Sequence, residues 1–145
     1  MIALASDHGG YEMKEALLAH LRDRGLECLD LGCHSTDSVD YPLYADALCG
    51  KITDGTCRLG ILVCGTGIGM SMAANKHKGI RAACVSDCFS AEMTRQHNDA
   101  NVLCLGGRTL GIELAKRITD IFVRTDFSGL EKHSRRIDMI KELED

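Results

Sequence analysis

Residues 59–69 read Leu59-Gly60-Ile61-Leu62-Val63-Cys64-Gly65-Thr66-Gly67-Ile68-Gly69: six almost wholly apolar residues, then three alternating glycines. An apolar run this short, closed by a turn, reads as a strand buried on both faces, hence a central strand of a parallel sheet. The glycines turn the chain into a helix and aim backbone N–H groups into the mouth of the turn. With the helix N-terminus they make a place for negative charge. Cys64 stands at its entrance, where the same field favours thiolate over thiol. Taken alone, the stretch also fits a tight strand-to-helix turn beside a buried structural thiol.

Reading outward, short apolar runs alternate with helical patterns. Strands are expected at 2–5, 28–31, 59–64, 81–86 and 102–105. Helices are expected over 11–24, from Pro42 to about 53, and over about 70–76, 90–96, 110–124 and 132–144. In the first helix Met13, Leu17, Leu18 and Leu21 keep helical spacing and Gly25 ends it. Pro42, the single proline, suits a first helical turn. Five successive β-α units predict an α/β fold: a parallel sheet with helices on both faces, and function in the loops after the strands. The last, charged helix has few partners in such a fold and is expected to reach a second subunit. The chain shows no repeat, linker or low-complexity segment, and 145 residues are enough for one domain with a real core, spanning 1–145.

Composition narrows the function. A net charge of −4 implies no basic face for nucleic acid. No stretch approaches the ~20 apolar residues that cross a bilayer, and the first residues lack the pattern of a secretory signal. Eight cysteines without a C-x-x-C pair, several inside apolar runs, read as structural thiols in a reducing cytoplasm. The histidines form no H-x-x-x-H pair, so no metal is expected.

Other chemistry gathers in the loops. Asp7-His8 follows the first strand with Gly9-Gly10 behind it; it can orient sugar hydroxyls or bind phosphate, and Asp7 also suits a helix cap. His97, in Arg95-Gln96-His97-Asn98-Asp99, is a general acid–base or a histidine on a helix C-terminus. Arg108 follows the fifth strand. Lys132, His133 and Arg136 open the last helix, where cations oppose the helix dipole and imply an anionic partner or a solvated basic face. A dinucleotide site fits poorly: the glycines run G-x-G-x-G, and Asp87 is the only acid placed for a ribose.

The stretches "SDHGGYEMK", "DYPLYA", "GILVCGTGIGMSMAANK", "GIRAA" and "RQHNDANVLCLGGR" resemble the ribose-5-phosphate isomerase B family, with its allose- and galactose-6-phosphate isomerases, over nearly the whole chain. The resemblance implies a Rossmann-like αβα sandwich, and a homodimer or a dimer of dimers with shared active sites. It implies aldose–ketose isomerisation of a sugar phosphate through an enediolate, without metal or cofactor and without nucleic acid or membrane. By that likeness Cys64 is the base, Gly65, Thr66, Gly67, Ile68 and Gly69 hold the oxyanion, and His97 opens the sugar ring with Thr66 nearby. Asp7, His8, Tyr41 and Asn98 contact substrate, and Arg108, Lys132, His133 and Arg136 take phosphate. Met70 stands where some relatives carry a glutamate base, which puts this chain in the cysteine type. Lys132 stands in place of an arginine: the charge is kept and the bidentate fork is lost. The other readings are a six-carbon phosphate isomerase, a non-catalytic phosphosugar-binding module that needs neither Cys64 nor His97, and a thiol redox sensor.

Overall fold

The computed structural model describes residues 1–144. The elements are β1 (Ile2–Ser6), α1 (Tyr11–Asp23), β2 (Cys28–Asp30), α2 (Tyr41–Thr53), β3 (Leu59–Cys64), α3 (Ile68–Ala74), β4 (Ala82–Cys84), α4 (Cys88–Asn98), β5 (Val102–Gly106), α5 (Ile112–Arg124) and α6 (Glu131–Lys141). The strands form one parallel sheet in the order β2-β1-β3-β5-β4. β3 is central and buried along its whole length, as its unbroken apolar run requires.

Each face of the sheet has its own core. On one face Leu17 and Leu21 of α1, Ala91 of α4, and Ile118 and Phe122 of α5 cover Leu4, Ile61, Val63, Leu103 and Leu105. On the other, Ala45 and Leu48 of α2 and Met70 and Ala74 of α3 cover Ala3, Ala5, Leu62 and Cys104. Connections leave β1 toward one edge and β3 toward the other. The crevice between these two strands is therefore the switch point, where ligands bind in open α/β sheets.

Several boundaries differ from the sequence expectation. Gly67 adopts φ 80°, so α3 begins directly after it rather than at Met70. Asp87 caps α4 by accepting from the Ser90 amide at 2.7 Å, so that helix starts at Cys88 and runs on to Asn98. His97 therefore sits in the last turn of α4 rather than in a loop. The Asp87 carboxylate is engaged in this cap and does not reach toward a ribose. β4 is a three-residue edge strand, and just before it Arg81 N turns to a side chain, donating to Asn101 Oδ1 at 2.8 Å. α6 does find partners in its own chain. It buries His133 and Ile137, and Gly79 N donates to Glu144 Oε1 at 3.1 Å, while Leu130, Met139, Ile140 and Leu143 stay exposed.

The apolar stripe of α1 includes one polar member. Lys14 is fully buried, and its Nζ donates to Asp30 Oδ1 and to the Cys33 carbonyl, each at 2.8 Å, beside Glu15 at 3.1 Å. Burial alone would raise the Asp30 carboxyl, but the bonds from Lys14 and the Gly32 amide outweigh it and hold the group below the usual carboxylate range. This ion pair pins the start of the loop that leads to α2.

Candidate active site

The loops after β1, β3 and β5 meet at the switch point, and glycines let them do so. A side chain at Gly107 would lie 2.6 Å from the Gly9 carbonyl, and one at Gly69 would lie 2.7 Å from the Tyr41 ring. Cys64 ends β3 with 5% of its surface exposed, and Gly67 N donates to its Sγ at 3.1 Å. The sharp turn at Gly67 is what brings that amide back onto the sulfur. The chain then enters α3, whose Met70 is sealed in the core.

The five loop amides are not equivalent. Gly67 N–H is committed to sulfur, and Ile68 N–H donates to Thr66 Oγ1 at 3.2 Å. Of the run from Gly65 to Gly69 expected to hold an oxyanion, two donors thus have partners within the turn itself. The amides of Gly65, Thr66 and Gly69 have no acceptor among the described residues.

Around this loop stand the other groups of the same end. Asp7 is nearly buried; its Oδ1 accepts from the amides of Gly9 at 2.9 Å and Gly10 at 3.1 Å. It shapes the turn before α1 and leaves Oδ2 available. Val39 N donates to His8 Nδ1 at 3.2 Å, which places the neutral ring's proton on Nε2. Tyr41 packs over Gly69. The Arg108 guanidinium lies over Gly9 and Gly65, and no carboxylate among the described residues pairs with it. Two other buried thiols are held protonated: burial, then Asp46, pushes Cys49 up to about 12, and burial, then neighbouring cysteines, pushes Cys104 well above the ordinary thiol value.

The remaining predicted residues lie elsewhere. α4 returns the chain from the end of β4 to the start of β5, and its eleven residues span about 16 Å. Its last turn is therefore at the opposite end of the sheet from Cys64. Arg81, just before β4, donates Nε to the Asn98 carbonyl there at 2.9 Å. α6 starts at this same far end, and its His133 ring stacks on His97 with centroids 4.2 Å apart and planes at 14°. Burial lowers the His133 pKa, and the neighbouring His97, Lys132 and Arg136 lower it further. A cavity of about 680 Å³ opens beside this cluster, with Asn98, Arg81 and Ile140 in its wall.

The structure thus sorts the predicted residues into two groups. Asp7, His8, Tyr41, Cys64 to Gly69 and Arg108 share one end of the sheet; His97, Asn98, Lys132, His133 and Arg136 share the other. Within one chain Thr66 does not meet His97. Sequence reasoning missed Arg81, Arg95 and Lys14, whose partners are mainly backbone carbonyls that no motif advertises; Lys14 left one trace, a cation inside an apolar stripe. No group of three or more metal-ligating side chains occurs among the described residues, and no described helix is long and apolar enough to cross a membrane.

Known proteins share this sequence and fold. Ribose-5-phosphate isomerase B of Escherichia coli K12 is 44% identical over 143 residues, covering 99% of this chain and 95% of its own. A solved Clostridium thermocellum ribose-5-phosphate isomerase B superposes with a TM-score of 0.96 at 44% identity, covering 98% of this chain and 95% of that one. A Thermotoga maritima ribose 5-phosphate isomerase does so with a TM-score of 0.95 at 47% identity, covering 98% and 97%. Residues 2–140 match the Ribose/Galactose Isomerase family, and the chain belongs to that family.

Proposed function

We propose that this chain is an aldose–ketose isomerase that interconverts ribose 5-phosphate and ribulose 5-phosphate. One observation carries the reading: the Cys64 sulfur, held by the Gly67 amide, stands beside three uncommitted amides at the switch point of the sheet. A sugar C–H is weakly acidic, so its removal needs a positioned base and a stabilised oxyanion together. Relatives named for ribose 5-phosphate support the substrate.

The steps follow from the groups present. His97 moves a proton between the ring oxygen and the C1 hydroxyl, and the furanose opens to the aldehyde. The Cys64 thiolate takes the C2 proton; the C1–C2 double bond forms and the charge moves to O1. The amides of Gly65, Thr66 and Gly69 hold that oxygen, and each such donor contributes about 3 kcal/mol in comparable sites. Cys64 then returns the proton to C1, O2 becomes the carbonyl as its proton passes to O1, and the ketose is complete. Asp7 and Tyr41 orient hydroxyls, with Asn98 on the sugar. His8, Arg108, Lys132, His133 and Arg136 take the phosphate, whose binding fixes C1 and C2 against the sulfur. The chemistry needs no metal or cofactor.

The two groups of residues lie at opposite ends of each chain, so the proposal includes a homodimer with shared sites. A twofold axis sets the Cys64 end of one subunit against the His97 end of the other, twice. The exposed apolar residues of α6 add to that contact. The chain works as a single domain in the cytoplasm. Lys132 and the loop from 32 to 44 set the choice between five- and six-carbon phosphates, and rates on ribose 5-phosphate, allose 6-phosphate and galactose 6-phosphate read that choice directly. The proposal is tested by Cys64→Ala: isomerisation is lost while phosphosugar binding persists, and near-native turnover in that variant would refute it.

A further inference from the structure

The turn that carries His97 and Asn98 is held in an uncommon way. Asp99, which ends α4, adopts φ 45° and ψ 43°, a left-handed conformation that helices usually give to glycine. Two guanidinium groups hold it there. Arg95 is nearly buried; its NH1 donates to Asp99 Oδ1 at 2.9 Å and to the Ala100 carbonyl at 2.6 Å, and its Nε donates to the Thr125 carbonyl at 3.0 Å. Its plane also rests 5.7 Å from the Phe122 ring centre. Arg81 donates Nε to the Asn98 carbonyl at 2.9 Å and NH2 to the Asp99 carbonyl at 2.8 Å. Three consecutive carbonyls, of Asn98, Asp99 and Ala100, are thus each capped by an arginine.

A helix end needs far less. A glycine after the last turn satisfies the orphan carbonyls with backbone amides alone. Here the carbonyls are fixed by side chains reaching from two sides, before β4 and within α4. The Asp99 carboxylate closes the clamp, lying 3.6 Å from Arg81. What the clamp fixes is the direction in which the last turn of α4 presents its side chains. His97 is seated further by its stack on His133. Both guanidiniums face inward onto protein acceptors, so neither is placed to hold phosphate as Arg108 is.

We infer that Arg81 and Arg95 are positioning residues for ring opening: they clamp the turn after α4 so that His97 and Asn98 meet the cyclic sugar in one geometry. The inference rests on the isomerase reading above. It makes a prediction that a purely structural clamp does not. Ribose 5-phosphate is mostly a closed furanose, whereas ribulose 5-phosphate cannot close such a ring, its C5 hydroxyl being esterified. Looser placement of His97 penalises the closed substrate selectively, because misplacement by about 1 Å costs on the order of 10²-fold at a reacting group.

The test uses Arg81→Met, Arg81→Lys and Arg95→Lys in the full chain, with initial rates measured from each substrate and melting curves recorded alongside. Arg81→Met is expected to lower kcat from ribose 5-phosphate by roughly tenfold or more while the rate from ribulose 5-phosphate changes little. Arg81→Lys, which keeps one donor and the charge, recovers part of the loss. Equal losses from both substrates in variants that melt like the parent would overturn the positioning role, and so would unchanged rates from both. Arg95→Lys serves if Arg81→Met does not fold. A parent enzyme that isomerises neither substrate would refute the isomerase reading itself, so the two failures are distinguishable.

Discussion

Cys64 and Gly67 act as a unit, and each can be tested alone. Cys64→Ala removes the base and is expected to cut turnover by roughly 10²–10⁴-fold with phosphosugar binding retained by calorimetry. A side chain at Gly67 would stand 2.9 Å from the Leu105 backbone in a conformation with φ 80°. Gly67→Ala therefore costs about 2 kcal/mol of stability in chemical denaturation and pulls the amide away from sulfur. His97→Ala is expected to slow ribose 5-phosphate more than ribulose 5-phosphate, and equal losses would remove ring opening from its role. Asp7, His8, Cys64 and Arg108 of this end were legible because each lies where an apolar run meets glycines. Which of the five loop amides lack a partner was not, since it depends on which donors the turn itself engages.

Two links between elements hold the frame beneath these residues. Lys14 joins α1 to the loop after β2; Lys14→Ala leaves Asp30 and a carbonyl unpaired in a fully buried place and is expected to cost about 3 kcal/mol in urea unfolding. His77 joins α3 to α2: its Nε2 meets Asp46 at 2.7 Å and its Nδ1 meets the Ala74 carbonyl at 3.1 Å. Burial pulls its pKa down, but Asp46 and the helix-end carbonyl outweigh burial and raise it above the 6.5 of a free imidazole. A raised pKa means the protonated ring stabilises the fold in full below the unfolded value, and that contribution fades as pH rises through the folded one. Asp46→Asn should flatten this loss in melting curves taken above pH 6.5. At this level the sequence was informative: β3 falls at the expected bounds, and the starts of α3 and α4 moved because of caps, at Gly67 and Asp87, whose partners are local but easily missed.

Strand order was not legible, because a helical crossover of this length can place the next strand on either side of the last. Yet the separation of the two groups of residues follows from β-α logic alone. α3 begins where β3 ends, beside Cys64, whereas α4 must bring the chain back to the start of β5 and so carries His97 to the far end. A site that needs both is completed between molecules, and mass in solution should accordingly be at least that of a dimer. The sharpest measurement is complementation between Cys64→Ala and His97→Ala, co-expressed so that subunits mix and assayed on ribose 5-phosphate. With shared sites, each mixed dimer holds one site with neither substitution, and statistical mixing returns roughly a quarter of parental activity. Activity no greater than the sum of the two variants, in samples where mass spectrometry shows mixed dimers, would contradict the account.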